Sequence, residues 1–372
     1  MRSLPLLEGR RGALEKCVFC PKLCRSACPV SNAEPRETVT PWGKMTSSWM
    51  AAHGDVPVDA SHAAPAWACT GCLACREACD HKNPVADVLL DARDAFAHTG
   101  TAPSGARRVL EGFARHDVQT RAAGRALANR SPSVKDGAPD ALLIGCGYLR
   151  GAPREAEDAV AAATALTGRP VALVDGCCGL PLRLAGDRAG FARHAASFAR
   201  ALEGGPARLM VLDPGCGMTL KHHYAEAAVS LPAQVELLVE VAASAVGRMR
   251  HVPHEAKPVR WHDPCQLGRG LGVYEAPRAI LGRALGRPPD ELSPYERREY
   301  GICSGAGGLL PSTLPEVARA ITTARLEAHA RAGGGRVVTA CASSLLAMRK
   351  RAASSSSVAV DDLVSWIARA LS

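Results

Sequence analysis

Short apolar segments alternate with amphipathic ones in the middle of the chain. The apolar segments are of the buried-strand type: ALLIG at 141–145, PVALV at 170–174 and RLMVL at 208–212. Helical patterns separate them, first REAEDAVAAATALTG and then DRAGFARHAASFARALEGG. Strands that alternate with single helices predict a parallel sheet.

The carboxyl third repeats this order. PVRWH at 258–262 is followed by a helical pattern, by REYGICSG at 298–305, by another helical pattern and by RVVTA at 336–340. The repeat predicts an internal duplication, with a parallel sheet in each half. A further apolar stretch, LPAQVELLVEVAASAVG from Leu231, contains two glutamates and is predicted as an amphipathic helix.

One clear helical pattern lies nearer the amino terminus, in NPVADVLLDARDAFAHTG at 83–100. Asn83 is predicted to cap this helix, Pro84 suits its first turn and Gly100 suits its end. The following segment is rich in Arg, Ala and Gly and is predicted as a helical connector. We therefore predict four parts, at 1–100, 101–137, 138–250 and 251–372.

Composition and charge exclude several classes of function. The chain has 372 residues, enough for two or three domains, and a net charge of +9 from scattered basic residues. Because there is no run of five like charges, a nucleic-acid partner is not predicted. The amino terminus lacks the apolar core of a signal peptide, and no stretch of about 18 apolar residues predicts a membrane span. We expect a cytoplasmic protein whose membrane contact, if any, goes through a partner.

Fifteen cysteines in a chain with no predicted export signal need a role other than disulfide bonding. Eight of them form two runs, CVFCPKLCRSACP at 17–29 and CTGCLACREAC at 69–79. The second run has the spacing of a bacterial ferredoxin half-site, in which three thiolates on one tight loop reach one cluster and the fourth reaches the other. Two 4Fe–4S clusters are thus predicted, one on Cys69, Cys72, Cys75 and Cys28, and the other on Cys17, Cys20, Cys24 and Cys79.

The first run departs from the ferredoxin spacing. It has one extra residue between Cys20 and Cys24, so the loop is expected to bulge there, helped by Pro21. Structural zinc is the alternative for paired cysteines. Eight cysteines without a histidine at ligand spacing favour two clusters over zinc.

The remaining cysteines follow the apolar segments of the two halves. The carboxyl ends of parallel strands are where open α/β sheets build their sites, so these thiols are candidate ligands. They are Cys146, Cys177, Cys178 and Cys216 in the first half, and Cys265, Cys303 and Cys341 in the second.

The order of these motifs resembles a known family. HDPCQLGRGLGVYEAPR, GICSGAGGLLP and VVTACASS are similar to the cysteine-rich "CCG" domain of heterodisulfide-reductase-type proteins. That domain also occurs in the iron–sulfur subunits of glycolate oxidase, the L-lactate utilisation complex and anaerobic glycerol-3-phosphate dehydrogenase. The resemblance covers nearly the whole chain and implies an α-helical two-cluster ferredoxin-like domain followed by duplicated parallel α/β CCG modules.

The resemblance implies five thiolates in a complete module, and both modules here are incomplete. Asp213 stands where a CxxC would begin in the first module, which leaves four thiolates for a third cluster. Ser304 and Ser344 replace two thiols in the second, so its cysteines are weaker candidates. Cysteines packed as small apolar groups, or a mononuclear iron or zinc site that includes histidine, are the alternatives. Asp263 and Arg269 match the family's HDPC-x-L-G-R pattern and are expected to support the second module.

The family implies an iron–sulfur electron-transfer component of an oxidoreductase. A flavin dehydrogenase for a 2-hydroxy acid or glycerol 3-phosphate is the expected donor, and quinone or another redox carrier the acceptor. A catalytic disulfide reductase that uses the first module is one alternative hypothesis. A zinc-stabilised scaffold protein is an alternative of another class.

Overall fold

Helices and short parallel strands make up the regular structure in a computed structural model that describes residues 1–353 and 357–372. The helices are α1 (Arg11–Val18), α2 (Pro29–Ala33), α3 (Pro41–His53), α4 (Ala60–Trp67), α5 (Ala74–Glu77), α6 (Val85–His98), α7 (Ser104–Arg130), α8 (Cys146–Gly151), α9 (Pro153–Thr167), α10 (Leu180–Ala185), α11 (Arg188–Arg200), α12 (Pro214–Met218), α13 (Tyr224–Glu226), α14 (Leu238–Ser244), α15 (Glu275–Leu285), α16 (Leu310–Thr313), α17 (Pro315–Arg331), α18 (Ala342–Ala352) and α19 (Leu363–Leu371). The strands are β1 (Asp140–Leu143), β2 (Ala172–Leu173), β3 (Arg208–Val211), β4 (Gln234–Leu237), β5 (Val259–Trp261), β6 (Gly335–Thr339) and β7 (Val358–Asp362).

The chain forms two compact units, and the first is built mainly from helices. It comprises Met1–Phe113, Pro181–Phe191 and Ile302–Arg325. Its core contains Trp67 of α4 together with Leu89 and Phe96, which lie two turns apart on one face of α6. The polar Asp91, Arg93 and Asp94 of this helix are buried as well, so the helix is covered on more than its apolar face.

Asn83 does not cap α6 as expected. The residue before the helix is Pro84, and no side chain accepts a bond from the first turn. The Asn83 amide instead donates to Sγ of Cys17 at 2.9 Å and to the Ala13 carbonyl at 2.8 Å. The side-chain amide of Asn83 therefore bonds to the first cysteine run and to the helix before it, and not to the start of α6.

The second compact unit comprises Ala114–Leu180, Ala192–Gly301 and Leu326–Ser372, and it contains both sheets. One sheet has the strand order β2-β1-β3-β4 and the other β5-β6-β7. Every pairing between neighbouring strands in these two sheets is parallel. The predicted mixed α/β class with parallel sheets is confirmed.

Three details of the strand prediction were wrong. The stretch from Leu231 is not a single helix, because β4 occupies Gln234–Leu237 and α14 begins only at Leu238. The Q-V-E-L alternation of β4 has the period of a strand, and its partner β3 supplies the pairing. β7 had no predicted counterpart. The segment at 298–305, within the described residues, contains a 3-10 turn at Arg298–Tyr300 and no strand.

The compact units are not continuous in sequence. The first unit takes Pro181–Phe191 and Ile302–Arg325 from the two predicted cysteine-rich modules. The predicted connector contains α7, a single helix of 27 residues, and the division between the units falls within it. The four sequence boundaries given above stay predictions.

No helix in the described ranges is both long and apolar enough to cross a membrane.

Candidate metal centres

One set of four cysteines in the first unit lines a single small cavity. The loop between α4 and α5 curls tightly, since Gly71 and Leu73 both have left-handed backbone angles, with φ of 67° and 61°. The Gly71 N–H donates to Sγ of Cys69 at 3.4 Å. The set consists of Cys28, Cys69, Cys72 and Cys75, which the spacing predicted for one cluster.

Two buried cations lie beside this set. Lys44 of α3 is 2% exposed, and its Nζ donates to Sγ of Cys28 at 3.4 Å. Burial opposes its charge, but the Cys28, Cys69 and Cys75 thiolates outweigh burial and raise the pKa of Lys44. Arg93 of α6 is also 2% exposed and donates to the Cys69 carbonyl at 2.9 Å. Two positively charged side chains therefore lie next to this set of cysteines.

Arg93 also fixes a close approach of the backbone to the cysteine loop. Its Nη1 donates to the carbonyl of Gly308 at 2.9 Å. Gly308 has φ of 64°, and a Cβ there would lie 2.2 Å from the Cys69 carbonyl oxygen. Only glycine fits at this position.

The other predicted set, Cys17, Cys20, Cys24 and Cys79, is also brought together. The pKa of Cys17 is raised to about 11, chiefly by burial and in part by Cys24, Cys20 and Cys79, against a hydrogen bond from Asn83 that lowers it. Burial, with Cys79 and Cys20, likewise raises the pKa of Cys24 to about 11. These four thiols therefore lie near enough to influence one another's charge.

Lys22 accommodates the extra residue in the first run. Its φ of 68° places it in the left-handed region, between Cys20 and Cys24. The chain therefore reverses at Lys22, and the expected bulge is centred on this residue rather than on Pro21. The neighbouring Phe19 is 79% exposed, so this cysteine set lies closer to the surface than the cavity beside Lys44.

A third group of thiols lies at one edge of the four-stranded sheet. Cysteines follow β1, β2 and β3, which are adjacent in the order β2-β1-β3, so their carboxyl ends meet at that edge. Cys146 Sγ lies 4.0 Å from Cys177 Sγ. Cys178 shares hydrogen bonds with both Cys177 and Cys216. The four predicted thiols of the first module thus form one continuous group.

Glycines allow the vicinal pair to turn. Gly176 and Gly179 flank the pair with φ of 111° and 87°, values open mainly to glycine. The Gly179 N–H donates to Sγ of Cys177 at 3.5 Å. A backbone donor aimed at sulfur stabilises thiolate character.

The thiols of this group share protons. The hydrogen bond from Cys177 lowers the pKa of Cys146 to about 6, and a bond from His116 adds to the effect. The same bond raises the pKa of Cys177 well above its ordinary value. Bonds from Cys177 and Cys216 hold the pKa of Cys178 well below that of an ordinary thiol. Thiolates are the species that bind metals, and this group favours two of them even without a metal.

The carboxylate of Asp213 caps the amino-terminal end of α12. Its Oδ1 accepts from the N–H groups of Gly215 at 2.8 Å and Cys216 at 3.3 Å, and its Oδ2 accepts from Ala342 at 3.0 Å. Burial raises the pKa of this carboxyl to about 6. The residue that replaces the family's fifth thiol therefore positions Cys216 and the start of α18.

The cysteines of the second module are divided between the compact units. Cys303 belongs to the first unit, whereas Cys265 and Cys341 belong to the second. The expected strand before Cys303 is missing from the described segment, so no strand delivers this thiol to a sheet edge. Burial raises the pKa of Cys341 to about 12, and Ser344 donates hydrogen bonds to its sulfur.

Asp263 and Arg269 stabilise the turn around Cys265. Asp263 pairs with Arg278 at 2.7 Å and accepts from Trp261 Nε1 at 2.8 Å. Arg269 donates to the carbonyl of Gly301 at 2.6 Å. Asp263 and Arg269 therefore stabilise this turn through hydrogen bonds to other protein groups.

Known families match both parts of the chain. The model of the 4Fe–4S dicluster domain matches residues 13–83. The model of the cysteine-rich domain matches residues 141–221 and 259–349. The dicluster match supports two 4Fe–4S clusters as cofactors, and the cysteine-rich match suggests further iron–sulfur binding.

Curated relatives include subunits of oxidoreductases. A subunit of the fumarate reductase (CoM/CoB) of Methanothermobacter marburgensis is 28% identical over 88% of this chain and 66% of its own length. A subunit of the dihydromethanophenazine:CoB–CoM heterodisulfide reductase of Methanosarcina barkeri is 29% identical over 31% of this chain and 28% of its own length. A protein named the probable iron–sulfur-binding oxidoreductase FadF, of Bacillus subtilis, is 34% identical over 32% of this chain and 17% of its own length.

The matched region spans no more than 66% of any of these three relatives. Two of these relatives are named as subunits of oxidoreductases, and the third is named as an oxidoreductase. Along this chain, the match to the dicluster domain precedes the two matches to the cysteine-rich domain, as the sequence predicted. The chain therefore carries a match to the 4Fe–4S dicluster domain, followed by two matches to the cysteine-rich domain.

Proposed function

We propose that this chain transfers electrons within an oxidoreductase, through one cluster on Cys28, Cys69, Cys72 and Cys75 and one on Cys17, Cys20, Cys24 and Cys79. The cavity beside Lys44 carries this proposal. A buried ammonium group is unfavourable without a counter-charge, and the strongest partners of Lys44 are three cysteines of one set. An anionic cluster on those thiolates supplies the missing charge. When bound, such clusters supply reversible one-electron transfer.

The first cysteine-rich domain is proposed to bind a third cluster. Its four thiols are adjacent, mostly buried and delivered by three neighbouring strands. Four thiols in a largely buried group fit iron–sulfur chemistry, and Asp213 is engaged elsewhere. The second cysteine-rich domain is proposed as a structural duplicate, because its three cysteines are divided between the compact units.

A flavin dehydrogenase is the proposed electron donor, of the type that oxidises a 2-hydroxy acid or glycerol 3-phosphate. Quinone or another redox carrier is the proposed acceptor. Two of the named relatives are subunits, which supports a partner but does not select one. All fifteen cysteines are free thiols in the structure, which supports the cytoplasm as its compartment.

Reduction of a disulfide is the second candidate function. Two electrons and two protons would convert a disulfide into two thiols at the first cysteine-rich domain. The separation of 4.0 Å between Cys146 and Cys177, and the low pKa of Cys146, favour it. The relative from Methanosarcina barkeri is a subunit of an enzyme named for the reduction of a heterodisulfide, which also supports it.

Rapid mixing separates the two functions. Anaerobically purified protein is reduced with dithionite, freed of reductant, and mixed with a quinone analogue while the visible absorbance is followed. Electron transfer predicts full reoxidation in the wild type and in Cys177→Ser, and a reduced amplitude in Cys75→Ser. No reoxidation by the quinone analogue or by a one-electron acceptor such as ferricyanide would contradict it.

The second candidate is tested with reduced viologen and 2-hydroxyethyl disulfide. Catalytic turnover that Cys177→Ser abolishes would favour disulfide reduction. A wild type that oxidises viologen no faster than the buffer would exclude this substrate class.

A further inference from the structure

Two large apolar side chains are exposed within the first cysteine run. Phe19 is 79% exposed and Leu23 is 66% exposed. Phe19 directly precedes Cys20, and Leu23 directly precedes Cys24, and both of these cysteines are half-buried. Because four residues of chain span at most about 14 Å, the two apolar side chains belong to one area of the surface. Apolar side chains that are grouped on a surface mark a site of interaction with a partner.

The turn that carries Leu23 is held in place by other parts of the same unit. Lys22 Nζ lies 4.0 Å from the centre of the Trp42 ring and 3.6 Å from the carboxylate of Glu37. Trp42 Nε1 donates to the carbonyl of Val18 at 3.1 Å, on the other side of Phe19. A surface that is fixed in this way loses little conformational freedom when a partner binds.

Basic side chains surround the two apolar ones. Between Lys16 and Arg25 the chain has three cations and no carboxylate. Lys16 and Arg25 are exposed, and Glu37 is the carboxylate that pairs with both Lys22 and Arg25. The second cysteine run adds no net charge, because cations and carboxylates are equal in number at 76–82. The surface therefore has an excess of positive charge, which is complementary to an acidic partner.

We propose that this surface docks an acidic flavoprotein that reduces the nearby cluster. We call it the docking surface, and it consists of Lys16, Phe19, Lys22, Leu23 and Arg25. The inference rests on the proposed cluster that includes Cys17 and Cys79. One electron passes from the flavin hydroquinone of the partner, which becomes a semiquinone, to the oxidised cluster, and no bond forms or breaks. An apolar centre with a charged rim is typical of protein interfaces, and those for electron transfer are small.

Stopped-flow mixing of the holoprotein with flavodoxin hydroquinone, an acidic one-electron donor, tests the docking surface. The semiquinone product absorbs red light, so its formation gives the second-order rate constant. We expect this rate constant to fall as the salt concentration rises, because salt screens the attraction between opposite charges. Reduced methyl viologen, a small donor that needs no protein interface, is mixed in parallel to show that the clusters accept electrons.

Variants then assign the rate to the docking surface. Phe19→Ser and Lys16→Glu are each expected to lower the rate constant with flavodoxin about tenfold. Reduction of Phe19→Ser by methyl viologen is expected to be unchanged. Tyr295→Ser is the matched control, because Tyr295 is 84% exposed and belongs to the other unit, and it should keep both rates. Lys16 precedes the cysteine run, so its variant keeps the test valid if Phe19→Ser disturbs the cluster.

The possible outcomes separate the docking surface from the cluster. Wild-type rates with flavodoxin in both variants, or reduction of the wild type by methyl viologen alone, would overturn the docking surface and leave the cluster standing. A dimer in sedimentation experiments that both variants abolish would overturn the acidic partner and assign the surface to a second copy of this chain. A wild type that neither donor reduces would overturn the cluster and this inference together.

Discussion

At the residue scale, the two predicted cluster sites of the first unit differ in the groups that face sulfur. Cys28 receives a hydrogen bond from a buried ammonium group, whereas Cys17 receives one from the neutral amide of Asn83. Reduction adds negative charge to a cluster, so a nearby cation stabilises the reduced form more than an amide does. The two clusters are therefore expected to have different potentials, with the higher one beside Lys44.

Substitution of Lys44 tests this difference. Lys44→Met keeps the length of the side chain and removes the charge, so it is expected to lower the potential of one cluster. A loss of about 2 kcal/mol of charge interaction corresponds to a decrease of roughly 80 mV for a one-electron couple. Redox titration followed by EPR measures the midpoint of each cluster.

Lys257→Met is the matched control, because this lysine is 69% exposed and pairs with Glu255 on the surface of the other unit. It should leave both midpoints unchanged. If Lys44→Met shifts neither midpoint, or shifts both equally, Lys44 does not tune one cluster selectively.

The cysteines could be predicted from the sequence, but their neighbours could not. The spacing identified two sets of four, since three ligands of each cluster lie close together along the chain and the fourth follows from the ferredoxin pattern. Lys44, Arg93 and His116 reach the cysteines from separate helices, and single residues of these types carry no spacing signal. Asn83 was recognised as notable, but for helix capping, because its contact with Cys17 spans a large sequence separation.

At the element scale, Asp213 links α12 to α18. Its carboxylate is the acceptor for three backbone N–H groups, and the site is fully buried. Asp213→Ala is expected to lower the free energy of unfolding by about 3 kcal/mol, since buried donors lose their acceptor. Asp213→Asn retains one oxygen and should lose less. Thermal unfolding followed by circular dichroism measures both.

Asp59 provides the comparison for that experiment. It caps α4 through the N–H groups of Ser61 and His62, but at an exposed position. Water replaces the lost acceptor there, so Asp59→Ala is expected to destabilise the fold less than Asp213→Ala does. An equal loss in Asp213→Ala and Asp59→Ala would contradict the linking role of Asp213.

Asp362, at the start of α19, is expected to make stability depend on pH. It is buried, accepts from Tyr148 at 2.6 Å and from the Val364 N–H at 2.9 Å, and burial raises its pKa to about 7. The folded state therefore binds a proton that the unfolded state releases above an ordinary value of 3.8. This contribution to stability is greatest at low pH and is lost as the pH rises towards 7.

The variant Asp362→Asn isolates that contribution. From pH 5.5 to 7.5 the wild type should lose about 2 kcal/mol relative to the variant, which does not titrate. Melting temperatures of both proteins at several pH values provide the measurement. A difference between the two proteins that stays constant with pH would show that Asp362 does not titrate in this range.

The strands show how far a pattern can predict a fold. β1, β3, β5 and β6 were found near their predicted positions, because buried parallel strands are short, continuous apolar runs. β4 was missed because its alternating polar and apolar residues run directly into the apolar residues of α14, with no turn residue between the two elements. β7 was also missed. The described segment at 298–305 forms no strand, and its apolar stretch is too short to predict its secondary structure. Whether such a short segment forms a strand depends on its pairing with neighbouring strands in the folded protein, and the sequence pattern does not show this pairing.

At the scale of the whole molecule, the two cysteine-rich matches have different consequences. The first keeps its thiols together in one unit, through strands β1, β2 and β3. The second contains Cys303, which belongs to the other unit along with segment Ile302–Arg325. The first match therefore provides a candidate metal site within one compact unit.

A metal count tests the central claim most directly. The wild-type protein, purified without oxygen, is analysed for iron, acid-labile sulfide and zinc per chain, with EPR spectra of the reduced form. The structure predicts about twelve irons with matching sulfide, eight of them in cubane clusters and four in a further centre. Stoichiometric zinc with neither iron nor sulfide would contradict an electron-transfer protein and would favour a zinc-stabilised scaffold.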